Sequence, residues 1–399
     1  MSIGLTGATA QPLSAARLIT LLGLTLSLAY LVVLVSALIG GHWLIDAQGR
    51  PLAGDFVNVW AAGRLAGDGH PALAYDWIVH KSMEVRAVGH AFDNYYGWHY
   101  PPVFLFVAAA LALLPFLPAS VLWLALTLPL YAATVRTIVG ERAGWFLALG
   151  FPAVLWNVVA GQNGFVTAAL IGGTLLLLER RPLLAGICLG LISYKPHFAL
   201  LFPFALAAGG HWRRLATPAA VAAGLAALSW VVFGSETWLA FFQSMPVTTQ
   251  AVLGDGRADW DRLQSLFGLV RAQGGGEMVA WAAQGVAATG VTIAVTLLWR
   301  SRVPYELKAA ALVLGALLVT PYLYMYDLVV LAVAAAFLVR LALRQGFSAV
   351  ETAGLAGAGL LLLSYPYLKT QVGLTAVLIV TVLALRRMAF GWPAAAKDR

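Results

Sequence analysis

Long apolar runs separated by short polar joints occupy most of this chain. The first is Leu18–Ile39, and Ala216–Phe233 is another. At 1.5 Å per residue, roughly 20 apolar residues in a helix cross the hydrocarbon core of a bilayer. Further runs fall at about 103–117, 119–138, 143–160, 163–179, 182–208, 277–299, 306–320, 323–344, 348–364 and 370–388. The pattern predicts an all-α polytopic membrane protein with about twelve spans. A membrane barrel would show short segments of alternating polarity instead. Two runs admit a second reading. The 182–208 run carries Lys195-Pro196-His197 at its middle and also reads as two half-helices, and 143–160 also reads as re-entrant. As simple spans they leave Glu179-Arg180-Arg181 on the side away from the other arginines; changing both moves that segment back.

Two polar stretches interrupt the pattern, a first loop at about 41–100 and a second at about 234–276. Polarity is densest from Leu52 to Pro102. There Asp55–Ala66, with Phe56, Val59, Trp60 and Leu65, predicts a helix lying in the membrane interface. Gly67-Asp68-Gly69-His70-Pro71 is a turn by residue type. Tyr75–Val88 predicts a second amphipathic helix, with Asp76, His80 and Glu84 on one face. Arg213/Arg214 and Arg300/Arg302 lie at the far ends of the runs flanking the second loop. That arrangement puts both loops, the Tyr322–Asp327 segment, and Tyr365, Tyr367 and Lys369 on one side. By the positive-inside rule that side is extracytoplasmic. No internal repeat is evident, so a single domain over 1–399 is expected, with a short leader at 1–15, no cleavable signal peptide, and both termini inside, as the basic Lys397 and Arg399 suit.

Composition narrows the function classes. The chain is 61% hydrophobic and 11% charged, against about 25% charged in soluble domains, and its mean hydropathy is +0.83. The net charge of +8 sits at helix ends, at Arg213/Arg214, Arg340/Arg344 and Arg386/Arg387, so it points to membrane lipid and away from nucleic acid. The lone Cys188 excludes an intrachain disulfide. Zinc-peptidase, nucleophile-elbow and P-loop signatures are all missing. Asp259-Trp260-Asp261 has D-x-D spacing, but in a Gly- and Arg-rich loop it reads as solvated. No metal and no cofactor are expected.

Several residues carry candidate chemistry, each beside a structural alternative. Asp55 follows Gly54 at a helix start; it reads either as an N-cap or as a general base. Lys195 lies inside an apolar run, where a lysine is costly without a partner. It reads as a phosphate contact or as a snorkelling side chain. His197, Arg64, Arg257, Arg262 and Lys369 are further phosphate candidates, His197 alternatively packing in the core. Asp327 either pairs with Lys195 as a buried ion pair or binds acceptor hydroxyls. Gln162 and Asn163 offer amides to sugar hydroxyls or cap a helix between two spans. Asn58, Asp76 and Tyr326 are placed with them as sugar or acceptor contacts. Trp60, Tyr95, Tyr96, Trp98 and Trp260 either stack on sugar faces or form an interfacial aromatic belt.

Taken in order, Asp55-Phe56, Trp60, Gly67-Asp68-Gly69-His70-Pro71, Tyr75-Asp76, Tyr100-Pro101-Pro102, Gly161-Gln162-Asn163, Lys195-Pro196 and Tyr326-Asp327 resemble glycosyltransferase family 87. These are polyprenol-phosphate-mannose-dependent mannosyltransferases of the GT-C superfamily. The resemblance implies a GT-C-like transmembrane fold with a catalytic Asp in its first extracytoplasmic loop, which maps to Asp55. It also implies a polyprenyl-phosphate sugar donor, inversion at the anomeric carbon, and a lipid-linked or envelope glycan acceptor at the inner membrane. Pro321–Asp327, PYLYMYD, departs from the histidine-rich versions in related mannosyltransferases. A transporter or flippase of lipid-linked sugars is the alternative, supported by Lys195-Pro196 in mid-run but lacking paired repeat halves.

Overall fold

The computed structural model describes residues 14–257 and 259–390. Most of the leader, with Lys397 and Arg399, lies outside the described residues. Helix α1 (Ala15–Ile39) starts at Ser14, whose hydroxyl accepts from the Arg17 N–H. A two-residue hairpin, β1 (His42–Trp43) and β2 (Ile45–Asp46), leads into the first polar stretch. Helices α2 (Phe56–Gly67) and α3 (Trp77–Val88) follow, joined by the turn at 67–70 and a 3₁₀ segment at Pro71–Tyr75. Then come α4 (Leu105–Leu111), α5 (Phe116–Val139), α6 (Ala143–Leu149), α7 (Ala153–Ala160), α8 (Gly164–Leu177), α9 (Pro182–Leu191) and α10 (Phe202–Ala208). The chain closes with α11 (Ala216–Thr249), α12 (Leu266–Ala272), α13 (Glu277–Arg300), α14 (Tyr305–Val319), α15 (Leu331–Gln345), α16 (Ala349–Leu368) and α17 (Val372–Phe390).

Among the described residues six helical stretches are long and apolar enough to span: α1, α5, α11 with its flanking turns, α13, the stretch from Met325 through α15, and α17. The pair α6 and α7, bent by 54°, makes a seventh if counted as one. The expected twelve is not confirmed. Breakers cut several runs short, so those at 103–117, 163–179 and 182–208 yield helices of only 7 to 14 residues. At 182–208 the helix stops because Pro196 supplies no N–H and excludes the residue before it from α-helical geometry. Lys195 accordingly sits at φ −132°, ψ 67°. Both alternative readings of the doubtful runs fit this shape, one broken and one bent.

The basic end is consistent with the same revision. Glu179 accepts from Arg214 at 3.3 Å and lies 3.1 Å from His211. The Glu179-Arg180-Arg181 segment therefore shares an end with Arg213/Arg214. Glu306 joins Arg340 and Arg344 at 3.5 and 3.1 Å.

Two further expectations change. Residues 234–276 are mostly helical: Gly234 (φ 82°, ψ 163°) only kinks α11, which runs on to Thr249. And α2 does not lie on a surface. Val57, Ala61 and Ala62 are fully buried, Phe56 packs on Phe116 and Trp123, and the Trp60 indole donates to the Leu114 carbonyl. Small residues permit this depth, since a Cβ on Gly63 would collide with the Ala108 carbonyl of α4. Gly63→Val is expected to destabilise the protein by about 1–3 kcal/mol through overpacking, read as a lower unfolding midpoint in detergent. Gly67→Val, where a Cβ meets nothing, is expected to stay within about 1 kcal/mol.

A candidate active site at the polar end

Asp55 occupies the N-cap position of α2 yet caps nothing. Its backbone is already helical (φ −55°, ψ −27°) and its side chain accepts no first-turn N–H, whereas a capping Asp is extended and does. Instead Oδ2 accepts from Gln162 Nε2 at 3.1 Å. The turn after α7 makes this contact. Gly161 adopts a left-handed φ of 67°, and a Cβ there would meet the Phe56 Cβ at 2.9 Å. Only glycine lets the chain turn so close to the start of α2. Gln162 Oε1 accepts from the Tyr100 hydroxyl at 3.2 Å and the Asn163 N–H at 3.3 Å, which leaves the amide NH₂ to face Asp55. Burial raises the Asp55 pKa above the ordinary carboxylate value. The Gln162 bond and the charges of Arg262 and Lys195 oppose that rise, and Asp327 adds to it.

Lys195 and Asp327 are joined at 2.7 Å, both buried. Asp327 Oδ2 also accepts the Tyr324 N–H at 3.4 Å. The ion-pair reading of these two residues is therefore the one present. Beside them Tyr326 stacks on Tyr324, ring centroids 5.4 Å apart, and its carbonyl accepts from Asn157 at 3.2 Å.

A cavity of about 1300 Å³ opens over Asp55. Its walls are the hairpin with residues 52–56, the end of α7, the segment carrying Gly256 and Asp259–Arg262, residues 324–326 and the end of α16, completed by Tyr96, by Phe116 and Ser120 of α5, and by Ala272. Arg262 and Lys369 bring positive charge, Asp259 and Asp261 negative charge, and Tyr96, Trp260 and Tyr326 aromatic surface. The loop that carries Arg262 is anchored from behind. Leu263 bridges to Tyr324 in antiparallel fashion, and the Gln264 N–H donates to the Leu323 carbonyl at 2.6 Å. Gln371 Nε2 donates to the Trp260 carbonyl at 2.9 Å. No cluster of three metal-ligating side chains occurs among the described residues.

The remaining sequence candidates divide. Asn58 is buried one turn after Asp55, and Asn163 is buried at the start of α8; neither lines the cavity. Asp76 caps α3, accepting from the Ile78 and Val79 N–H groups. Arg64 pairs with Asp68 at 3.3 Å, at the opposite end of α2 from Asp55. His197 packs against Phe198. Trp43, Trp156, Tyr324 and Tyr365 also line the cavity, and the sequence reading did not assign them to the site.

Lys195→Met is expected to cost about 3–5 kcal/mol by leaving Asp327 buried and unpaired. Lys195→Met combined with Asp327→Asn is expected to recover much of that loss. Unfolding midpoints of the two variants check it.

The description Glycosyltransferase family 87 belongs to the family model that matches residues 98–321, more than half of the chain. The match takes in Tyr100, Gln162, Asn163, Lys195, His197 and Arg262, while Asp55 and Asp327 flank it. No curated protein and no solved structure matches the chain. With its apolar helices, its polar cavity and this match, the chain belongs to glycosyltransferase family 87.

Proposed function

We propose that this glycosyltransferase moves a sugar, mannose by family resemblance, from a polyprenyl phosphate to a lipid-linked or envelope glycan. The transfer takes place on the extracytoplasmic face of the inner membrane, in one domain, without metal or cofactor. The observation that carries this reading is Asp55 itself: a carboxylate at a helix start that caps nothing, held by an amide and facing the cavity. Arginines gathered at the opposite end support the assigned side.

The chemistry is an inverting displacement. An acceptor hydroxyl oxygen bonds to the anomeric carbon as the bond from that carbon to the phosphate oxygen breaks. Asp55 takes the hydroxyl proton as general base. The leaving polyprenyl phosphate gains negative charge, which Arg262 and Lys369 at the cavity wall offset. Lys195, tied to Asp327, contributes its field from below. Tyr326 and the aromatic walls offer faces to the sugars, and Gln162 aims the base. Arg64 and His197, which lie away from the cavity wall, are left out of this scheme, as is Asp76.

Sugar transfer by the purified protein, with radiolabelled polyprenyl-phosphate-mannose and a lipid extract, tests this. Asp55→Asn is expected to lose transfer by roughly a hundred- to ten-thousand-fold. Its unfolding midpoint should match or exceed wild type, because a carboxylate whose folded pKa is raised loses stability as pH climbs through that window. Wild-type transfer should fall as pH drops through the raised Asp55 pKa, since the base must be ionised. Equal transfer by Asp55→Asn would remove Asp55 from the mechanism. Transport of lipid-linked sugar without transfer would replace the enzyme reading.

A further inference from the structure

The first polar stretch holds a second group of titratable side chains that the transfer chemistry leaves unused. His80 and Glu84 stand one turn apart on α3, both wholly buried, with His80 Nε2 3.6 Å from Glu84 Oε1. Neither ring nitrogen and neither carboxylate oxygen has a partner at full hydrogen-bonding geometry. Burying such groups is costly, so their arrangement calls for a reason. Lys81 Nζ lies 3.6 Å from Glu84 Oε2, sits over the Phe92 ring and donates to the Asn94 carbonyl. Tyr95 meets the His80 ring edge-on and packs on Trp77.

The next residue links this cluster to the cavity. The Tyr95 ring on His80 and the Lys81 bond to the Asn94 carbonyl hold this segment against α3 as far as Tyr96. The Tyr96 side chain lines the cavity with Asp55. The Tyr96 hydroxyl donates to the Ala53 carbonyl at 3.4 Å, two residues before Asp55. His90 Nε2 lies 3.0 Å from the Pro51 carbonyl, a second tie from the 90–96 segment to the segment that delivers Asp55.

We infer that His80 and Glu84, with Lys81 between them, are a positioning pair that holds the 94–96 segment against α3 and thereby sets Tyr96 in the cavity wall beside Asp55. The pair touches no substrate; it acts through Tyr96. The kinetic part of the inference rests on the transferase reading, and the stability part does not.

The charges facing the pair favour a neutral clamp. Burial lifts the Glu84 pKa to about 8, against the pull of Lys81 and the Tyr96 N–H and with a further push from Asp55. Burial, helped by His99, lowers His80 to about 3. Tyr95 faces Glu84 from the same side, and Asp93 acts on Lys81. Glu84 is thus protonated in the fold while its unfolded counterpart, with an ordinary value of 4.5, is ionised at neutral pH. Its contribution to stability is full below the unfolded value and is lost as pH rises to about 8.

The test uses the full chain in detergent. Unfolding midpoints from pH 7 to 9, above the range in which His80 and His99 titrate in the unfolded chain, are expected without substrate to fall with rising pH in wild type and to be flatter in Glu84→Gln, which mimics the neutral acid. Midpoints of Glu84→Ala, Tyr96→Ala and the double variant should be non-additive. In transfer, Glu84→Ala and Tyr96→Ala should each raise the acceptor KM about tenfold with kcat changed far less, the double variant no worse than either. A Glu84→Gln profile that tracks wild type, or additive effects of the two alanine variants, would overturn the clamp. If wild type transfers no sugar, the transferase reading fails, and the two sets of midpoints still decide the clamp.

Discussion

The polar end of this protein depends on one buried bond, the 2.7 Å contact between Lys195 and Asp327. It joins the break between α9 and α10 to the 3₁₀ turn before α15, two places 132 residues apart. An apolar helical body leaves a lone lysine or aspartate there untenable, so each holds the other in place. The neighbouring contacts follow from that fixed point. Tyr326 lies against the lysine, its ring centroid 5.4 Å from Nζ, and its carbonyl holds Asn157 of α7. Gly164 lets the start of α8 close on the same carbonyl, which a Cβ would meet at 2.6 Å. Between Asn157 and Gly164 the chain makes the Gly161 turn that presents Gln162 to Asp55.

Two carboxylates near one another in this lattice have opposite surroundings. Asp327 is matched by a full charge at contact distance. Asp55 has only an amide, with Arg262 and Lys195 acting at longer range. A carboxylate in contact with an ammonium on one oxygen and a main-chain N–H on the other is fully engaged. One that accepts a single neutral hydrogen bond keeps lone pairs for a proton. The difference in environment, more than the residue type, separates an anchoring role from a basic one.

The apolar runs predicted where helices lie, and Lys195-Pro196 predicted where one would break. The number of spans was not legible. A run of apolar residues reports its length, while Pro152 and Pro196 act on backbone geometry that hydropathy ignores. The depth of α2 was hidden for a related reason. Trp60 and Phe56 look interfacial by residue type, but the close approach of α4 that Gly63 allows makes Phe56 core and leaves Trp60 only half-buried against it. At the site, Asp55 and Gln162 were each legible as candidates, but their bond spans 107 residues, and no periodicity encodes a contact of that separation. Trp43 and Trp156 carried no signal in the sequence and Tyr365 only a side, because separate segments bring them to one cavity.

Four buried glutamines show how those segments are joined. Gln264 ties Thr370 and Gly373 to the loop at Asp261. Gln284 of α13 takes the Phe267 N–H and gives its own to the Leu318 and Val319 carbonyls. Gln371 reaches the Trp260 carbonyl, and Gln162 reaches Asp55. An amide suits this task because it donates and accepts without the desolvation penalty of an ion. Three of the four give their N–H groups to main-chain carbonyls, which makes them joints. Gln162 alone of the four gives its N–H to a carboxylate. The same device that elsewhere fixes backbone to backbone here fixes the direction of a side chain; Asp255 also accepts from a glutamine, the exposed Gln250, so it is the burial of Gln162 and its ties to Tyr100 and Asn163 that give Asp55 a fixed direction.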